Sequence, residues 1–216
     1  PGWHSYWKNA GDSGLPTKLR WTLPAGMTAG EVTWPTPRKF PLGELANYGY
    51  DGQMLLPVPV TVTPEFRGSE LEIALHASWL VCRQECIPEE GRFQVRVPVQ
   101  GSTAQHASRF QQAWDAAPRT QPANGSRLRP DEKTLRVSLE GLPSAWRGKT
   151  LEFYPETTGL IDPGAPWTQA WDGERWTARV PLSPHRSESP AQLALVVAEA
   201  ELGERIMRAL ILRRVG

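Results

Sequence analysis

Two runs of apolar–polar alternation bracket the only two cysteines of the chain. Over residues 70–79, Leu71, Ile73, Leu75, Ala77 and Trp79 alternate with Glu70, Glu72, His76 and Ser78. Over residues 92–99, Phe93, Val95, Val97 and Val99 alternate with Arg92, Gln94 and Arg96. A period of two predicts strands with one wet face, whereas a helix would scatter these side chains around its surface. Between the runs lie Cys82-Arg-Gln-Glu-Cys86 and Ile87-Pro-Glu-Glu-Gly91. The pair therefore falls at the end of a predicted antiparallel hairpin, where a chain reversal brings two Cα atoms within the roughly 5.5 Å of a disulfide.

The remaining chain extends this β grammar. Its 21 prolines and 19 glycines favour turns over long helices. Residues 55–62 place Val58, Val60 and Val62 on one face, but Pro57 and Pro59 cannot donate to a ladder and push this strand to an edge. From residue 102 Ser102 can cap a helix, with Ala107, Phe110 and Trp114 at helical spacing, and Ala117-Pro118 ends it. The Thr-Gln-Pro-Ala-Asn-Gly-Ser stretch that follows reads as a linker. Beyond it Leu135, Val137 and Leu139 alternate, residues 150–154 form a short apolar run, and Asp172-Gly173 makes a turn between Trp171 and Trp176. Residues 192–198 and 206–213 read as a terminal strand pair around Glu201-Leu-Gly-Glu204. Trp79, Trp171 and Trp176 stand at strand positions suited to a sandwich core.

The fold expectation is all-β: two immunoglobulin-like β-sandwich domains, with one short helix near the end of the first. Residues 1–120 form the cysteine-bearing domain, 121–128 the linker, and 129–216 a second β-sandwich without cysteines. A net charge of +1 without long runs of either sign argues against nucleic acid or anionic membrane as partner. No stretch approaches the roughly 18 apolar residues of a membrane span. The opening Pro1-Gly2-Trp3-His4 reads as a mature or trimmed fragment.

Cys82 and Cys86 admit three readings. A structural brace is weakly motivated, because closing a loop of about five residues restrains the unfolded chain by only roughly 2 kcal/mol. With 216 residues and ten tryptophans, the chain has ample apolar material without it. Thiol–disulfide exchange needs an accessible thiolate and a second cysteine to resolve the mixed disulfide, and the pair supplies both. Arg83 favours a thiolate, while Glu85, Glu89 and Glu90 oppose it. Copper or zinc binding would have to recruit His76 or His4, neither at a short motif spacing from the pair, so no closed ligand set is expected.

The run Trp79-Leu-Val-Cys82-Arg-Gln-Glu-Cys86-Ile-Pro-Glu89, preceded by Asn47-Tyr-Gly-Tyr50 and Leu56-Pro-Val-Pro-Val60, resembles the periplasmic N-terminal region of the DsbD/ScsB family of transmembrane thiol:disulfide interchange proteins. Trp3-His-Ser-Tyr-Trp-Lys-Asn-Ala-Gly-Asp-Ser-Gly14 resembles the opening of the ScsB-type members, and Phe153-Tyr-Pro-Glu156 fits their longer architecture more loosely. The resemblance implies an immunoglobulin-like redox domain whose cysteine pair is its only redox group, with no cofactor and no metal. It implies electrons accepted from a thioredoxin-like domain of the same full-length protein and passed to periplasmic thioredoxin-fold disulfide proteins, a protein-disulfide reductase activity tied to processes such as cytochrome c-type biogenesis. It further implies a periplasmic domain of an inner-membrane protein, monomeric and without membrane contact of its own. By the same resemblance Cys86 forms the mixed disulfides, Cys82 resolves them, and a cap loop shields the pair, with Phe40, Leu42, Tyr48 and Tyr50 as candidates. Better-known DsbD members have five residues between the cysteines where this chain has three, so the reduction potential does not carry over.

Overall fold

Six strands precede the hairpin: β1 (His4–Gly11), β2 (Lys18–Thr22), β3 (Met27–Ala29), β4 (Arg38–Leu42), β5 (Leu45–Asp51) and β6 (Val60–Val62). The hairpin itself is β7 (Glu70–Cys82) and β8 (Cys86–Pro98), paired antiparallel without interruption from Glu70↔Pro98 to Cys82↔Cys86. Both strands thus run past the alternating segments and end on the cysteines themselves. This computed structural model describes residues 1–101, 104–200 and 209–215.

The first sandwich is dominated by a six-stranded sheet in the order β2-β7-β1-β5-β4, with β8 on the other side of β7. β3 and β6 make a separate two-stranded sheet. Of the run 55–62 only Val60–Val62 forms a strand, because Pro57 and Pro59 precede it and supply no donors. One α-helix, α1 (Ala107–Ala116), is present among the described residues. It starts later than the sequence suggests: His106 precedes it with φ 57° and no side-chain cap, and the expected cap Ser102 lies outside the described residues.

The second sandwich comprises β9 (Arg119–Gln121), β10 (Arg127–Pro130), β11 (Thr134–Leu139), β12 (Leu151–Pro155), β13 (Thr168–Asp172), β14 (Arg175–Pro181), β15 (Leu193–Glu199) and β16 (Ala209–Val215). One sheet runs β10-β11-β14-β13 and the other β12-β15-β16-β9. The two sheets enclose a core of Leu139, Trp146, Leu151, Trp176, Leu195 and Leu212 with their neighbours. The expected turn falls one residue on: Trp171 faces Trp176 and Asp172 faces Arg175 across the pair, so Gly173, with φ 59°, and Glu174 make the turn. Trp176 is buried in the core and Trp171 packs against it. Trp79 is not a core residue but lies part-exposed on the hairpin, its indole donating to Glu89. The stretch read as linker contains strand at both ends, Gln121 closing β9 and Arg127 opening β10. The expected turn at 201–204 lies outside the described residues. Among the described residues, two immunoglobulin-like β-sandwiches and one short α-helix therefore give an all-β fold.

The sandwiches meet through aromatic side chains. Trp7 of β1 and Tyr48 of β5 pack edge-to-face on Tyr154 of β12, with ring centroids 6.2 and 5.1 Å away. Val196, Ala198, Ala209 and Ile211 complete this cluster from the second sandwich. The buried Asn9 side chain donates to the Pro155 carbonyl at 2.8 Å, and Lys8 pairs with Glu156 at 3.2 Å. Gly164 abuts the Glu44 backbone so closely that a Cβ there would lie 2.0 Å from the carbonyl oxygen. Deleting a buried ring from such a contact costs about 3 kcal/mol or more. In urea titrations, Tyr154→Ala lowers the unfolding free energy by about 3 kcal/mol, and Asn9→Ala by about 1–3 kcal/mol, because the Pro155 carbonyl loses its donor.

Candidate functional site

The cysteines face one another at the last pair of the β7–β8 ladder, with Cα atoms 4.1 Å apart and an S–S bond of 2.07 Å. Arg83, Gln84 and Glu85 close the turn, where the Arg83 N–H donates to the Glu85 carbonyl at 2.9 Å. The two sulfur-bearing residues differ sharply in environment. Cys82 is 4% exposed and clusters with Tyr6, Ala10 and Leu80. Cys86 is exposed, as are all three turn residues. β7 has neighbours on both sides, β8 along one edge and β2 and β1 along the other, whereas among the described residues β8 pairs only with β7.

Register assigns the surrounding side chains to faces. His4 pairs with both Cys82 and Asp51, and Gly49 pairs with both Tyr6 and Arg38. His4, Tyr6, Arg38 and Phe40 therefore share the face of Cys82. Phe40 stacks on the His4 ring, with centroids 4.7 Å apart and planes 9° from parallel, and Tyr6 meets the same ring edge-on at 5.3 Å. The Arg38 guanidinium lies 5.9 Å from the Phe40 centroid and pairs with Asp51 at 2.9 Å. Tyr48 and Tyr50 occupy the opposite face. Tyr48 is buried in the inter-sandwich cluster, Tyr50 donates its hydroxyl to the Pro35 carbonyl at 2.7 Å, and burial pushes both phenols up. Leu42 is exposed at the β4–β5 tip beside Leu45. Of the four cap candidates, only Phe40 is joined to the disulfide's surroundings by a defined contact, through His4. Sequence considers His4 beside the pair only as a possible metal ligand and does not single out Tyr6, although Trp3-His-Ser-Tyr-Trp7 contains both.

Two of the acidic residues near the pair are engaged elsewhere. Glu89 accepts from the Trp79 indole at 2.8 Å, and Glu90 pairs with His76 at 2.8 Å. His76 thus stays on the polar face of the hairpin, turned to a carboxylate. No group of three or more His, Cys, Asp or Glu side chains converges among the described residues. No helix among them is long and apolar enough to cross a membrane. A concavity of about 810 Å³ lies on the outer face of β10-β11-β14-β13, lined by Arg127, Arg129, Arg136, Arg175 and Arg179. It belongs to the other sandwich. The disulfide occupies an exposed hairpin end, a geometry that suits contact with a macromolecule better than enclosure of a small substrate.

Burial holds the His4 imidazole below its ordinary 6.5, with the Asp51 carboxylate pulling weakly the other way. The folded chain therefore resists protonation that the unfolded chain accepts. This contribution to stability is intact above pH 6.5 and is lost as pH falls through 6.5 toward the lower folded value. Between about pH 7 and about pH 5, the melting temperature of the native sequence falls further than that of His4→Phe. Equal falls in the two proteins would remove His4 from the acid response.

Residues 1–98 match the family described as "Thiol:disulfide interchange protein DsbD, N-terminal". No curated protein matches the chain. Among solved structures, the N-terminal periplasmic domain of ScsB from Proteus mirabilis aligns over 100% of this chain and 83% of its own, with a TM-score of 0.70 and 17% identity. At that identity the likeness speaks for the fold. The matched residues include β1, the β4–β5 hairpin and both cysteines, so residues 1–98 resemble the DsbD N-terminal family, and the two-sandwich chain as a whole has the fold of the ScsB periplasmic domain.

Proposed function

We propose that this chain is a periplasmic relay for thiol–disulfide exchange, accepting electrons from a thioredoxin-like domain and passing them to exported disulfide proteins. The observation that carries the reading is the asymmetry of the pair: Cys82 buried on an interior strand, Cys86 exposed on an edge strand. Exchange proceeds by attack along the S–S axis on the accessible sulfur. A thiolate of the reductant attacks Cys86 Sγ, the Cys82–Cys86 bond breaks, and the Cys82 sulfur leaves as thiolate. The reductant's second thiol then attacks its own bonded sulfur. That releases Cys86 as thiolate and leaves the reductant oxidised by two electrons. In the second half-reaction Cys86 attacks a disulfide of the exported partner. Cys82 next attacks Cys86 Sγ, reforming the intramolecular bond and freeing the partner's dithiol. Cys82 is therefore the resolving cysteine, and its burial prevents it from meeting partners first.

Phe40, stacked on His4 over the Cys82 face, is proposed as the shield that limits access to the reduced pair. Redox function is assigned to residues 1–120 and no chemistry to residues 129–216, whose cysteine-free sandwich supports the first through the aromatic interface. A non-catalytic adaptor with a bracing disulfide is the competing reading, and the equilibrium with glutathione separates the two. A relay pair equilibrates within the range of cellular thiol poise, whereas a brace resists reduction.

Cys82→Ser accumulates a covalent adduct with a thioredoxin-like partner on non-reducing gels, and Cys86→Ser does not. The reverse pattern would exchange the two roles. In the reduced protein, Phe40→Ala speeds alkylation by iodoacetamide, and an unchanged rate would rule out Phe40 as the shield. Replacing both cysteines by serine leaves cooperative unfolding, displaced by no more than about 2 kcal/mol; loss of folding would instead establish the brace.

A further inference from the structure

Among the described residues β8 is paired on one side only, and it is exposed at every position except Gly91. One of its faces shows Phe93 at 54%, Val95 at 51% and Val97 at 39% exposure. Long apolar edge strands are ordinarily blunted, because their free N–H and C=O groups template another strand. Here the blunting is confined to the two ends. The Val99 N–H donates to the Ser69 carbonyl at 3.0 Å, so odd-numbered residues direct their backbone groups toward β7. The even-numbered residues Pro88, Glu90, Arg92, Gln94, Arg96 and Pro98 direct theirs away. Both prolines belong to this outward set, where a missing donor leaves the β7 ladder intact. Between them lies an uninterrupted window, Glu90 to Arg96, with a free donor and acceptor at each outward residue.

We propose that this window pairs with the same window of a second copy of the chain, antiparallel about a two-fold axis through Phe93. In that register Glu90 faces Arg96 of the second copy, Arg92 faces Gln94, and each Pro88 faces a Pro98, so every outward N–H meets a carbonyl. Sliding by one outward step either way places Arg92 opposite Arg96 or opposite Arg92 of the other copy. Each slide also sets a proline against a residue that needs a donor. Parallel in-register pairing stacks Glu90 on Glu90. The central register alone satisfies both the charges and the backbone.

The flanking charges continue the pattern. Within each chain Glu90 pairs with His76 at 2.8 Å, and Arg96 with Glu72 at 3.2 Å. Pairing Glu90 with Arg96 across the axis joins these into a row, His76–Glu90–Arg96–Glu72, spanning four strands, in which each carboxylate faces an arginine or the histidine. On the opposite face Phe93 meets Phe93, and each is flanked by the half-buried Leu75 of its own β7. The interface is isologous and closes on itself, so it makes a dimer and not a fibre. A window of seven residues with solvent-exposed flanks is a small interface, so a weak dimer is expected. Antiparallel pairing carries the two disulfide ends away from each other, leaving both open.

Sedimentation equilibrium over micromolar to millimolar chain tests the proposal. The native sequence shows a monomer–dimer equilibrium. Glu90→Arg or Arg96→Glu alone weakens it about tenfold or more, because two like-charge contacts replace two attractive ones, and the double exchange restores it. Gln94→Pro removes an outward donor without touching the β7 ladder and abolishes the dimer while leaving the melting transition cooperative. Register is read by oxidising Phe93→Cys in a Cys82→Ser/Cys86→Ser background. Facing residues there lie about 4.5 Å apart at Cα, close enough to bridge with slight adjustment, so a covalent dimer forms, while Val95→Cys in the same background gives none. A monomer at all concentrations, a dimer indifferent to Gln94→Pro, failure of the double exchange to restore association, or cross-linking through Val95→Cys would each overturn it.

Discussion

The ladder between β7 and β8 sets the terms for everything else in the first sandwich. Its thirteen paired positions hold two strands in one register, and a slip of one residue would turn every side chain to the wrong face. Because β7 also pairs with β2 and β1, one end of the disulfide is anchored inside the sheet while the other rides on its margin. The different exposures of Cys82 and Cys86 follow from strand position alone. Two chemically identical residues, four apart in sequence, acquire different surroundings because one belongs to an interior strand and the other to an edge.

Legibility in the sequence tracks one-sided burial. β7 alternates at its start because one face is wetter than the other, β8 alternates although both of its faces are exposed, and the Trp171–Trp176 hairpin declares itself through Asp172-Gly173 between aromatics. β1 and β5 do not alternate. From Ala46 through Tyr50 every residue of β5 is buried, and β1 buries both Tyr6 and Trp7. Each of these strands is covered on one face by the Cys82 surroundings and on the other by the second sandwich, which erases the period that reveals a strand. The expected linker has the same difficulty in another form. β9 is three residues long and finds its parallel partner, β16, near the far end of the chain, and no local pattern announces so distant a pairing.

The site was readable in kind and less so in arrangement. The cysteine pair and its neighbouring motifs were legible because they are contiguous. The cap candidates were chosen by residue type, and type does not assign faces: Phe40 stands on the disulfide side and Tyr48 on the other, although β4 and β5 place them one pair apart. His4 enters the site through pairing with Cys82, a contact between residues nearly eighty positions apart. The acidic residues that sequence sets against a thiolate are drawn off in part by Trp79 and His76, partners on the facing strand that composition cannot supply.

β1 joins two attachments. Near one end His4 pairs with Cys82; near the other Asn9 is bonded to Pro155 of the second sandwich. Five residues of strand separate these points by about 17 Å. Trp7, between them, is packed against Tyr154. The strand therefore links the two attachments as a strut, with one irregularity where its pairing with β5 shifts register between Tyr6 and Gly11. Torque applied to the second sandwich reaches the disulfide directly, so whatever surface holds that sandwich also sets the direction in which Cys86 points.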